Sequence, residues 1–268
     1  MQVNTIQHYK NSHCEDLVRI GVIDNNIFHA IMMAYSDKYA KATLDRKIET
    51  VKQIRECIAN SIITLDEHLN RRILEIFNKN IKNAKNAKPN TVNGILIDIF
   101  AKVDIDTTNT TNTIDKIRDV SVQCVKTTFE NTNVEQKKVD YLVSSMEMFV
   151  NDMWSQSLIE YKNNVRDYNG NVGDEIIPHL ANVLNRDIYL MKNGQVKLSD
   201  VKDRTSIVIE QLSDNEFVTV GRTTCSGEIE WSFEPDDVIL ENLTNFTQTR
   251  LVRSPMSEET KNDKNENN

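Results

Sequence analysis

The sequence predicts an α+β fold, a mostly helical region packed on a small C-terminal β-sheet. Two observations carry that reading. Seven Gly and four Pro make 11 of 268 residues, about 4% against the roughly 12% of average usage, so long helices are favoured over an all-β chain of many tight turns. The second is order. Apolar residues recur every three or four positions through the first two thirds, and short β-rich runs come only in the last third.

The elements follow in turn. After a leading segment containing Cys14 to Arg19, residues Ile27 to Tyr39 read as a helix buried on all sides, capped by Asp24-Asn25-Asn26. From Thr43 to Ile63 the apolar positions Leu44, Ile48, Val51, Ile54, Ile58 and Ile62 lie three or four apart, which is an amphipathic helix. Leu65 to Asn83 repeats the pattern with Leu69, Ile73, Ile76 and Phe77. Between Lys85 and Asn133 the pattern loosens around Pro89 and the Thr107–Thr113 tract, so residues 85–133 read as an insertion with a mobile loop. Val134 to Lys162, with Leu142, Met146, Phe149, Met153 and Ile159 inward, gives one long helix or two shorter ones.

In the last third, Glu175 to Asn185 is a helix with Ile176, Ile177, Leu180 and Leu184 inward. Strands follow at Asp187–Met191, Ser206–Leu212 and Phe217–Val220, the last two joined by a hairpin turn over Ser213–Glu216. Gly227 to Phe233 alternates Ile229, Trp231 and Phe233 as a further strand, and Val238 to Phe246 reads as a short helix. The polar stretch 254–268 reads as a disordered tail.

Charge and cysteine usage narrow the function classes. With 32 Lys+Arg against 40 Asp+Glu the net charge is −8, which argues against a nucleic-acid surface, since that needs clustered cations to displace counterions. Cys14, Cys57, Cys124 and Cys225 stand far apart without a Cys-x-x-Cys pair, and the five histidines do not join them. No metal site and no cofactor is expected. No run approaches the ~18 apolar residues of a membrane span and the N-terminus has no apolar leader core, so a soluble cytoplasmic protein with free thiols is expected.

Three segments carry a family resemblance. Asp24-Asn-Asn-Ile-Phe-His-Ala-Ile31 resembles the nucleophile segment Asp-Gly-Asn-Cys-Leu-Phe-His-Ala of the ovarian tumour (OTU) cysteine proteases, most closely in versions encoded by large DNA viruses. Gly173-Asp-Glu-Ile-Ile-Pro-His-Leu-Ala-Asn-Val-Leu-Asn-Arg-Asp-Ile-Tyr189 is similar to the family's Trp-Gly-Gly block. Ile207 to Gly221 resembles its closing strand, turn and His-containing strand. The resemblance implies an OTU-like domain over 15–222 in the papain-like superfamily, with an N-terminal extension at 1–14 and a C-terminal one at 223–253.

The catalytic positions depart from the family. Aligned on Phe28-His29-Ala30, Asn26 stands at the nucleophile and Ile23 at the motif's Asp; shifted to match Asp24, Ile27 takes the nucleophile position. Glu216 stands for the general-base His, and Val218 for the Asn or Asp that orients it. Cysteine catalysis needs a thiolate activated by an oriented imidazole, and an Asn carboxamide is not a nucleophile. His29 and His179 read as structural.

The resemblance thus implies a catalytically inactive protein that binds a partner, ubiquitin or a ubiquitin-like modifier. Its vestigial cleft would be lined by Asp24, Asn25, Asn26 and Glu216, with the Asn26 amide donating to Glu216. A structural or virion-associated scaffold is the alternative reading. An active deubiquitinase with relocated catalytic residues ranks third.

Overall fold

The computed structural model describes residues 3–10, 16–63, 67–84, 92–101, 113–198 and 203–243. Cys14, the Thr- and Asn-rich tract at 107–112 and the 254–268 tail lie outside the described residues.

Two N-terminal strands open the chain, β1 (Val3–Lys10) and β2 (Asp16–Ile20), paired antiparallel. Helix α1 (Ile27–Tyr35) begins where the Asn26 side chain accepts the Phe28 N–H at 2.9 Å, and every residue from Ile27 to Ala34 is buried. An all-round apolar helix belongs in an interior. It stops at Ser36, whose extended backbone starts α2 (Asp37–Ala40). Helices α3 (Leu44–Ser61) and α4 (Glu67–Ala84) turn inward Val51, Ile58, Leu69, Ile73 and Phe77, as their spacing predicts.

The stretch read as an insertion is more regular than its sequence suggested. Helix α5 (Val92–Phe100) buries Leu96 and Phe100, and α6 (Thr113–Phe129) buries Ile117, Ser121 and Val125 against the rest of the core. One continuous helix of 31 residues follows, α7 (Gln136–Arg166), with Met146, Val150, Trp154, Leu158 and Tyr161 inward. Ile159, expected inside, is exposed, because the seam passes through Leu158 instead.

After a short 3-10 turn at Asp174–Ile176, α8 (Ile177–Leu184) carries Pro178 in its first turn, where a missing N–H costs nothing. It ends on Asn185 in the left-handed region at φ 53°. Strands β3 (Asp187–Lys192), β4 (Gln195–Leu198), β5 (Ser206–Ser213), β6 (Glu216–Thr223), β7 (Ile229–Glu230) and β8 (Ser232–Phe233) follow. A further helix, α9, covers 238–243.

These strands form one sheet in the order β1-β2-β6-β5-β3-β4, with β7 on β6 and β8 on β5. Among the described strands only β3 and β5 run parallel. The expected small C-terminal sheet is therefore an eight-stranded mixed sheet that both ends of the chain build. Residues 3–10 of the expected N-terminal extension and 16–20 just after it supply two strands, and residues 229–243 of the expected C-terminal extension supply two more and the helix behind them.

Both faces of the sheet are covered at its central strands. Ile188, Leu190, Ile207, Ile209 and Phe217 face the helices, while Tyr189, Met191, Val208, Val220 and Phe233 pack on Ile239, Leu240 and Leu243 of α9. Successive strand residues point to opposite faces, so two buried faces produce unbroken runs such as Ile207-Val208-Ile209. The Thr219 hydroxyl on β6 donates to the Ala30 carbonyl at 2.7 Å and pins α1 to the middle of the sheet.

Candidate functional site

Where α1 begins, the chain makes a short 3-10 turn at Ile23–Asn25, inside which Asp24 is left-handed at φ 52° and ψ 16°. Asp is among the few non-glycine residues that accept this conformation readily. Opposite lies the segment that leaves α7, residues 167–172, and beside both sits the two-residue turn Asp214-Asn215 between β5 and β6. Together they enclose a cleft of about 330 Å³ lined by Asp24, Asn26, Tyr168, Asn169, Asn171 and Asn215 among others. Asn171 and Asn215 also line a larger groove of about 720 Å³ reaching α4, Pro178 and Lys197 of β4.

A buried arginine fixes the cleft wall. Arg55 on α3 is fully buried, and its guanidinium donates to the carbonyls of Val165 at 2.9 Å, Gly170 at 3.1 Å and Asp167. Its Cζ also lies 4.5 Å from the centroid of the Phe28 ring. The Val165 carbonyl in the last turn of α7 and the Asp167 carbonyl at its C-cap are thereby satisfied by a cation, the favourable sign for that end of a helix. Burial still lowers the Arg55 pKa to about 10, opposed by the Asp167 carboxylate and Tyr168. One side chain thus ties the start of α1 to the segment across the cleft.

A hydrogen-bond chain runs into the cleft from the interior. His29, buried on α1, contacts the Tyr39 hydroxyl through Nδ1 and the Tyr168 hydroxyl through Nε2 at 2.8 Å. Tyr168 in turn donates to Asp24 Oδ2 at 3.4 Å. The proton order follows from the carboxylate end. Tyr168 gives its proton to Asp24, so it accepts from His29 Nε2–H, which leaves Nδ1 to accept from Tyr39. Burial holds the imidazole neutral, lowering its pKa from 6.5 to about 4, with Asp24 opposing. Burial, then the Asp24 charge, raises the Tyr168 pKa; burial and Tyr168 raise that of Tyr39.

The expected site residues are only partly brought together. Asp24 and Asn26 line the cleft; Asn25 belongs to the 3-10 turn beside it. Glu216 is exposed at the start of β6, and its carboxylate accepts from Ser213 Oγ at 3.1 Å. The Asn26 carboxamide oxygen is committed to capping α1, and the expected Asn26–Glu216 hydrogen bond is not formed. The physical reason is the tight turn, which sends Asn215 rather than Glu216 to the cleft. Val218 is buried in the core at 4% exposure. His29 and His179 are in structural contacts, His179 Nε2 lying 2.8 Å from Ser61 Oγ.

Sequence reading missed Arg55, Tyr168, Asn169, Asn171 and Asn215. For Tyr168 to Asn171 a signal existed in the polar Asp-Tyr-Asn-Gly turn directly after a helix.

Neither a protein-family model nor a curated protein matches the chain. Among solved structures, an ovarian tumour (OTU) domain in complex with ubiquitin aligns with it at a TM-score of 0.38 and 12% identity. The alignment covers 90% of this chain and 91% of that one. At that score the likeness decides neither fold nor ligand, so the chemistry rests on the cleft itself.

That chemistry is hydrogen bonding. The lining offers a carboxylate, a phenol and carboxamides, while Cys57 and Cys225 are exposed and Cys124 sits on α6 with Sγ directed to the Ile99 carbonyl at 3.7 Å. Among the described residues no group of three or more His, Cys, Asp or Glu converges as a metal site, and no helix is long and apolar enough to cross a membrane.

Proposed function

We propose that the chain is an OTU-like protein that does not catalyse proteolysis and instead binds a protein partner, ubiquitin or a ubiquitin-like modifier, in the cytoplasm. One observation supports this above the rest: Asp24 and Asn26 of the first resembling segment and Asn215 of the third, some 190 residues apart, line one cleft. A cysteine protease of this kind would place its thiol and its base there. Here the helix start carries a carboxamide that caps it, and the hairpin presents a second carboxamide. Neither group ionises to a nucleophile near neutral pH.

Two measurements on the full chain test the two halves of the reading. Titration of the isotope-labelled protein with ubiquitin should shift backbone amides at 24–27, 168–172 and 215; no shift at about 1 mM, a binding energy weaker than ~4 kcal/mol, would favour a scaffold role. A ubiquitin probe with a thiol-reactive C-terminus should leave all four cysteines unlabelled, and an adduct at any of them would restore the active-enzyme reading.

A further inference from the structure

We infer that the cleft at the start of α1 is a binding site for an alkylammonium group, the side chain of a lysine on a partner protein. The inference uses only the cleft's polar lining, so it stands or falls separately from ubiquitin recognition.

The lining is rich in acceptors and lacks a cation. Asp24 supplies its one formal charge, and Asn26, Asn169, Asn171, Asn215 and Tyr168 the other polar side chains. Asp24 joins no ion pair among the described residues. Its one hydrogen bond, from Tyr168, falls on Oδ2, which leaves Oδ1 open to the cleft's occupant. The direction of that bond is set by the carboxylate, which can only accept, so the phenol proton points to Asp24. The side chains of Asn169 and Asn215 make no hydrogen bond within the described chain, so their carboxamide oxygens are free to turn inward.

An ammonium group has three donors and no acceptor, which matches a carboxylate flanked by carboxamide oxygens. A carboxylate or phosphate would instead meet the Asp24 charge with no cation in the lining to offset it. The nearby cations stand outside the lining: Arg55 donates to the carbonyls of the wall, and Lys47 and Lys52 lie over the rings of Tyr39 and Tyr168 at 5.6 and 5.9 Å. About 330 Å³ is at the small end of ligand sites, enough for one side chain.

The test is an amide-shift titration of the full-length labelled protein with three peptides: a blocked Gly-Lys-Gly, its acetyl-lysine counterpart, and unblocked triglycine. The blocked lysine peptide should shift the amides of 24–27, 168–171 and 215, and the acetyl-lysine peptide should not. Asp24→Asn, which also tolerates the left-handed backbone, should weaken the lysine peptide about fivefold, the equivalent of ~1 kcal/mol for an exposed ion pair. Asp24→Glu should retain part of the affinity, which separates lost charge from lost folding. Equal shifts with acetyl-lysine, or unchanged affinity in Asp24→Asn, would overturn the assignment. Binding of triglycine alone would overturn the lysine source in favour of a chain N-terminus.

Discussion

Replacing Arg55 by Met removes a buried cation and keeps much of its aliphatic volume, so the loss can be worked from the contacts. Hydrogen bonds to the carbonyls of Val165, Asp167 and Gly170 disappear, each worth about 1 kcal/mol net. Stacking on Phe28, with Cζ 4.5 Å from the ring centroid, adds about 0.5–1 kcal/mol. The sum is about 3–4 kcal/mol, or roughly 10 °C in Tm for a domain of this size. Arg55→Lys keeps the charge but loses the planar fork, and about half that loss is expected. Denaturant unfolding gives the global figure, and hydrogen exchange gives its place: the Gly170 amide, which donates to the Asp167 carbonyl at 2.8 Å, should lose protection ahead of α3. A loss under about 1 kcal/mol with Gly170 protection unchanged would refute the idea that Arg55 holds the wall.

Smaller perturbations test the neighbouring contacts. Asn26→Ala removes the cap on Phe28 N–H and should cost about 1 kcal/mol by denaturant unfolding, with Asn26→Asp close to neutral. Thr219→Val deletes the hydroxyl that reaches the Ala30 carbonyl and should cost about 1–2 kcal/mol. The His29 pKa lies near 4 in the fold against 6.5 unfolded, so the unfolded chain binds more protons between those values. The stability His29 adds over His29→Gln should be complete above about pH 6.5 and decline on acidification to about pH 4; a difference that stays constant over that window would contradict the neutral buried imidazole.

What the sequence revealed depended on how each element is buried. Helices α3 and α4 bury one stripe each, so their three-and-four spacing was plain in Val51, Ile58, Leu69 and Ile73. Helix α6 places Ser121 in the core, satisfied by the Ile117 carbonyl, and that polar residue breaks the apolar period. In β2, Leu17 faces one side of the sheet and Val18 and Ile20 the other, so no alternation marks a strand. The cleft was half legible. Asp24 and Asn26 stand in a recognisable helix-start motif, but a one-residue difference in a tight turn sent Asn215 inward in place of Glu216. Arg55 acts on residues more than a hundred positions away, a relation that local periodicity does not carry. The chain's many asparagines, 31 in all, offered no signal that four of them would line one cleft.

The space at the start of α1 is proposed here as a protein-binding cleft. Ubiquitin titration followed at the amides of 24–27, 168–172 and 215 tests it most directly. Saturable shifts confined to those segments and the adjoining groove are expected, with Asn215→Ala weakening them; ubiquitin shifts confined to surfaces away from the cleft, or none at all up to about 1 mM, would rule that binding out.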